Sequence, residues 1–139
     1  MKRTVMMAAA FGAALVSGNA AAVAQDGETL FKRCMACHAL EEGKHKVGPS
    51  LYGVVGRAAG TADGYRYSKI NSQAGELGLV WTKENMAAYL PDPQGFLEAF
   101  IEENGGDPQG RTKMTYRLRD EGDAATVVDY VASHGGNGG

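Results

Sequence analysis

Apolar residues in this chain come in short groups set apart by glycine-rich stretches, and the groups have helical spacing. The clearest is Ala124, Val127, Val128 and Val131, at i, i+3, i+4 and i+7, which lie on one face of a helix. Asp120 stands where an N-cap belongs, and His134-Gly135 marks the end. A second group, Phe96, Leu97, Phe100 and Ile101, follows Asp92-Pro93 and stops at Asn104-Gly105. Asp92 is its expected N-cap and Pro93 its first helical residue. Thr82 is placed to cap a helix running to about Leu90, and a short helix is expected over Lys69 to Gly75. The first helix is expected from Gly27 to about His38, with Leu30 and Phe31 inward. Between the first and second helices lies "KVGPSLYGVVGRAAGTADGY", a run of glycine turns. No alternating pattern is long enough for a sheet, so the class is all-α. The tail "GGNGG" has nothing to pack and is expected to be mobile.

The N-terminus has a different pattern. Lys2 and Arg3 precede an apolar run from Val5 to Val16, and small residues end in Ala22-Val23-Ala24. These are the three parts of a secretory leader. Residues 1–24 therefore read as a signal peptide and residues 25–139 as one exported domain beginning at Gln25. The other reading, a retained membrane anchor, meets a short apolar core broken by Ser17, Gly18 and Asn19. No later segment is long and apolar enough to span a bilayer, so the exported chain is expected to be soluble, with no stable membrane anchor; a monomer is expected as well. Of 14 basic residues, two leave with the leader. The remaining 12 face 16 acidic ones, a formal charge of −4 that speaks against nucleic acid as a partner.

An exported chain this rich in glycine buries limited apolar surface and usually needs a disulfide framework, a metal or a cofactor. Its only two cysteines lie in "RCMACHAL". Zinc requires about four ligands, and Cys34, Cys37 and His38 have no second pair to join them. A thioredoxin-type motif expects a βαβ pattern, which is absent. A lone disulfide here would close a tiny loop. Cys-x-x-Cys-His in an exported chain reads instead as covalent attachment of one haem c. Positions i, i+3 and i+4 share a helical face. Cys34 and Cys37 can each form a thioether with a porphyrin vinyl group, with His38 toward the iron and Met35 and Ala36 pointing away.

The iron's other side separates a carrier from a catalyst. Candidates are Met35, Met86, Met114, His45 and His134. Met35 belongs to the attachment motif, Met86 lies mid-helix and reads as core, His134 is near the terminus, and His45 follows closely on His38. Met114, in the loop "GRTKMTYRL", is the best candidate.

"CMACHAL", "GKHKVGPSLYGVVGR", Trp81, "YLPDP" and "TKMTY" occur in an order that resembles the class I cytochromes c, in particular the bacterial periplasmic cytochrome c2 type, over nearly all of the exported chain. The resemblance implies short helices and glycine-rich loops wrapped around one haem. It makes His38 the proximal and Met114 the distal ligand, and has the Pro49 carbonyl accept the second ring N–H of His38. It puts Arg57, Tyr67 and Trp81 near the propionates, and Tyr89 and Asn71 near the methionine sulfur. His45 becomes a residue that pins two loops, and Gly27, Phe31 and Tyr130 the crossing of the first and last helices. The spans from Asn71 to Trp81 and from Pro93 to Met114 are longer than in mitochondrial relatives, and Tyr116 stands in place of phenylalanine.

The function so implied is a soluble periplasmic one-electron carrier and not an enzyme. It would take electrons from a cytochrome bc1 complex to a photosynthetic reaction centre or a terminal oxidase. A haem enzyme such as a peroxidase, or a dedicated donor to one periplasmic oxidoreductase, are the alternatives. Arg111, Lys113, Arg117 and Arg119 around Met114, with Lys32, Arg33, Lys44 and Lys46 around the cysteines, are expected to form a basic docking ring at the haem edge.

Overall fold

A computed structural model describes residues 25–136 of the chain. The leader expected over residues 1–24 and the last three residues of the tail lie outside them. Five helices follow in order: α1 Gly27–Phe31, α2 Lys69–Glu76, α3 Lys83–Tyr89, α4 Pro93–Glu103 and α5 Glu121–His134. Each begins on a side chain that accepts a hydrogen bond from the first turn: Asp26, Ser68, Thr82, Asp92 and Asp120. These caps satisfy backbone donors that no preceding turn can reach. Among the described residues there is no strand. A single antiparallel bridge joins Ala58 to Val80, and the flanking bonds Ala59 N–H to Leu79 C=O and Trp81 N–H to Arg57 C=O extend it.

The apolar stripes set the packing. α1 and α3 lie against α5, and α4 contacts both α2 and α3. Ala124, Val127, Val128 and Val131 are all buried, as are Leu97 and Ile101, while Phe96 and Phe100 are half-buried at the core margin. Where α1 crosses α5, Gly27 is seated on Tyr130. A Cβ at position 27 would come 2.5 Å from that of Tyr130 and 3.1 Å from the Thr126 carbonyl. One turn on, the Phe31 and Tyr130 rings lie 5.5 Å apart. Glycine is therefore required here by close approach, not by turn geometry.

One expectation needs correction. The first helix does not run to His38 as a continuous α-helix. It ends at Phe31, and turns carry the chain through Cys37. Arg33, Cys34 and Cys37 donate to carbonyls three residues back, where an α-helix uses four. The tighter winding still returns to a four-residue bond at His38 N–H to Cys34 C=O, so the motif keeps helical proximity without helical regularity.

Candidate haem site

A cleft of about 220 Å³ opens beside α5, and residues of α2, α3, α5 and the connecting loops line it. Cys34, Cys37 and His38 reach it from the turns after α1, and Met35 and Ala36 are exposed. Leu51, Val54, Leu90, Val127 and Val131 give it apolar walls. Met114 lines it from the far loop. Burial pushes the Cys34 thiol above its ordinary range, with a smaller push from Cys37, and neither cysteine is in a disulfide.

His38 is the most constrained of these groups. Its Nδ1 lies 2.7 Å from the Pro49 carbonyl oxygen. A carbonyl only accepts, so Nδ1 carries the proton and Nε2 keeps a lone pair. Burial lowers the pKa of the ring, against an opposing contribution from the Pro49 bond, and favours this neutral form. Gly48 lies flat against the imidazole, where a Cβ would come within 2.8 Å of Nδ1. The segment Gly48-Pro49 thus sets the tautomer and the tilt of the ring.

Arg57 donates to the carbonyls of Tyr52 and Ser50, each at 3.1 Å, while its buried Nε–H has no partner. Tyr67 lines the cleft and accepts from Ala62 N–H at 3.1 Å, a bond that uses its oxygen and not its O–H hydrogen. Trp81 is buried in the wall, its ring 4.8 Å from that of Tyr89 and 6.3 Å from that of Phe96. Burial raises the Tyr89 phenol to about 12, against the hydrogen bond of the Thr112 side chain. Asn71 presents a buried Oδ1 with no partner on the same cleft.

His45 stands apart from the cleft lining. Its Nδ1 accepts from Ser50 N–H at 3.0 Å and its Nε2–H donates to the Asp63 carbonyl at 2.6 Å, which joins two loops and occupies both ring nitrogens. His134 bonds the Tyr130 carbonyl through Nδ1 and stacks on the Tyr130 ring. Met86, expected in the core, packs against it but also reaches the cleft lining, so burial alone does not separate it from Met114. The basic residues divide. Arg33 and Lys113 line the cleft. Lys44 pairs with Glu41 at 3.0 Å and Arg117 with Asp92 at 3.3 Å, so the expected ring is partly neutralised within the chain.

Three residues of this region escaped the sequence reading. Tyr65 donates to the Val47 carbonyl at 2.6 Å and lies under the Lys113 ammonium, which is 5.2 Å from its ring centroid. Gly48 packs on the histidine, and Thr112 sits beside Tyr89. The aromatic pair in "YRY" was a visible signal. The other two depend on contacts between distant segments.

The donor set fits a haem. Two thiols and a neutral imidazole lie together, the walls are apolar and aromatic, and the unpartnered Arg57 Nε–H calls for an acceptor such as a propionate carboxylate.

The chain belongs to the cytochrome c family, whose model matches residues 24–135. Covalently bound haem c is the cofactor that goes with the family and with this chain's single cysteine pair. Among its relatives, a cytochrome c2 of Rhodopseudomonas palustris is 50% identical over 112 residues, spanning 79% of this chain and 96% of that protein. Cytochrome c2 iso-2 of Rhodospirillum centenum is 52% identical over 108 residues, or 76% of this chain and 89% of that one. The solved structure of a cytochrome c2 from Rhodospirillum centenum superposes with a TM-score of 0.75 at 50% identity, covering 78% of this chain and 94% of the other. The fold is accordingly that of the class I cytochromes c.

Proposed function

We propose that this protein is a soluble one-electron carrier of the bacterial periplasm, exported by the leader at residues 1–24 and monomeric. Cys34 and Cys37 attach the haem, and His38 and Met114 ligate its iron. The observation that carries the reading is the His38–Pro49 bond at 2.7 Å, which leaves Nε2 free to coordinate on the cleft that Met114 also lines. Were His38 and Met114 both to hold the iron, the chain would leave no ligand position for a substrate, which favours transfer of electrons over catalysis at the metal.

The haem supplies one-electron exchange between ferric and ferrous iron. The chain's own residues do the rest. His38 and Met114 hold a ligand set that raises the potential relative to two nitrogen ligands. The apolar walls exclude water and disfavour the extra charge of the oxidised state. Arg57, Tyr67 and Trp81 hold the propionates, and Asn71 and Tyr89 form the polar surroundings of the methionine. The partners are membrane electron-transfer complexes, a cytochrome bc1 complex as donor and a reaction centre or haem–copper oxidase as acceptor. No helix among the described residues is long and apolar enough to cross a membrane.

The test is ligand identity. Met114→Ala should abolish the methionine–iron charge-transfer band of the ferric protein, admit azide or cyanide freely and lower the potential. Met86→Ala should leave the band in place. The opposite pattern would transfer the ligand role to Met86.

A further inference from the structure

The loop that delivers Met114 contains neither helix nor strand. Its backbone-to-backbone ties lie at its ends, Gly106 N–H to Ile101 C=O at 2.8 Å and Leu118 N–H to Leu90 C=O at 2.9 Å. Between them, side chains from two helices hold the backbone. Gln73 of α2 takes the first part: its Nε2 donates to the Asp107 carbonyl at 2.8 Å and its Oε1 accepts from Gln109 N–H at 3.0 Å. Gln94 of α4 takes the part next to the methionine. Its Oε1 accepts from Thr112 N–H at 2.8 Å and its Nε2 donates to the Gly110 carbonyl at 3.2 Å. Thr112 in turn accepts the Met114 N–H on its hydroxyl at 3.3 Å.

We infer that Gln94 is a positioning residue for the distal ligand: it clamps Gly110 and Thr112 and so sets how readily Met114 leaves the iron. The inference rests on the assignment of Met114 as that ligand. Three features support it. The amide has one orientation that satisfies all its neighbours, because Nε2 also donates to Glu98 Oε1 at 2.7 Å while Oε1 faces an N–H. Glu98 thus fixes Gln94 one turn away on the same helix. The clamp stands on a rigid base, since Pro93, Leu97 and Ile101 of α4 are buried. The two clamps meet at neighbouring residues, Gln109 held by Gln73 and Gly110 held by Gln94, and only Gln94 also holds Thr112, whose hydroxyl takes the Met114 N–H. The longer stretch between Pro93 and Met114 is therefore not slack, because α4 folds back to hold the chain just before the ligand.

The test is cyanide binding to the ferric holoprotein, which requires the methionine to depart first. Gln94→Leu keeps the side-chain bulk and loses both backbone bonds. It should accelerate saturating cyanide binding by about 5- to 30-fold, the weight of one to two net hydrogen bonds in an opening equilibrium. Gln94→Glu, made together with Glu98→Gln so that no second carboxylate faces the new one, retains only the acceptor toward Thr112 and should fall between parent and Gln94→Leu. Gln73→Leu, at the far part of the loop, should change the rate by less than about twofold, since its bonds do not bear on the ligand. Helix content and haem loading are checked in each variant. Should Gln94→Leu not fold, an accelerated Gln94→Glu still supports the clamp and an unaltered one overturns it. Parent-like rates in both Gln94 variants, or equal acceleration in Gln73→Leu, overturn the proposal even where Met114→Ala loses the charge-transfer band. Retention of that band in Met114→Ala would instead remove the ligand assignment itself.

Discussion

The imidazole of His38 and the carbonyl of Pro49 meet at 2.7 Å across eleven positions of chain, with Gly48 pressed on the face of the ring. The bond decides which nitrogen is free, and the glycine decides how the ring lies. Gly48→Ala would put a methyl within 2.8 Å of Nδ1 and must push ring or loop aside. The expected result is a ferric spectrum altered at the proximal side and a loss of about 1–3 kcal/mol in stability, the usual cost of overpacking. Parent-like spectra and denaturation midpoint would show that the loop yields without moving the ring.

Covalent attachment through Cys34 and Cys37 is checked by acid–acetone extraction, which should leave the colour with the polypeptide. Cys34→Ala/Cys37→Ala should yield a chain without cooperative unfolding, because the walls of the cleft then have nothing to pack against. Full passage of colour into the organic phase from the parent protein would defeat the assignment.

Gly27→Ala should be destabilising even though glycine is the weaker helix former. The added methyl meets Tyr130 Cβ at 2.5 Å, so α1 and α5 must separate. A loss of about 1–3 kcal/mol is expected by chemical denaturation. A stabilised variant would mean that the crossing relaxes freely.

The N-cap of α1 makes stability depend on acid. Hydrogen bonds from Thr29, backbone first, lower the Asp26 carboxyl below its ordinary 3.8, and Lys32 adds a minor contribution. The unfolded chain therefore takes up this proton first as pH falls. The stabilisation is complete above 3.8 and is lost as pH drops through the lowered folded value. Asp26→Asn keeps a cap acceptor without the titration. Denaturation midpoints between pH 5 and about 2.5 should fall less steeply for the variant than for the parent. Parallel curves would assign the acid sensitivity elsewhere.

Docking should depend on Arg33 and Lys113, which line the cleft, more than on Lys44 or Arg117, which are paired with Glu41 and Asp92. Arg33→Glu or Lys113→Glu should slow second-order electron transfer to an acidic membrane partner by about tenfold at low salt. The difference should shrink toward 0.1 M salt, where fields are screened beyond about 10 Å. Equal slowing by Lys69→Glu would reduce the effect to net charge.

The elements, the caps at Thr82, Asp92 and Asp120, and the attachment motif were legible in the sequence because each is written in neighbouring residues. Asp92-Pro93 announces the start of α4, and the spacing of Ala124, Val127, Val128 and Val131 shows the buried face of α5. Cys34 to His38 is a local spacing with one dominant chemical reading, and the order of the landmark segments pointed to the family. The early end of α1 at Phe31 was not legible, because turns and a continuous helix satisfy the same i, i+3, i+4 pattern over so few residues. Nor could charge runs show that Glu41 and Asp92 neutralise two members of the basic ring. The bond between His38 and Pro49 and the crossing of Gly27 on Tyr130 entered only through the family resemblance, and the hold of Gln94 on Gly110 and Thr112 not at all; all three join segments far apart in the chain. Only the tertiary fold decides them, since a backbone carbonyl or an N–H has no signature in sequence until packing places a partner within hydrogen-bond reach.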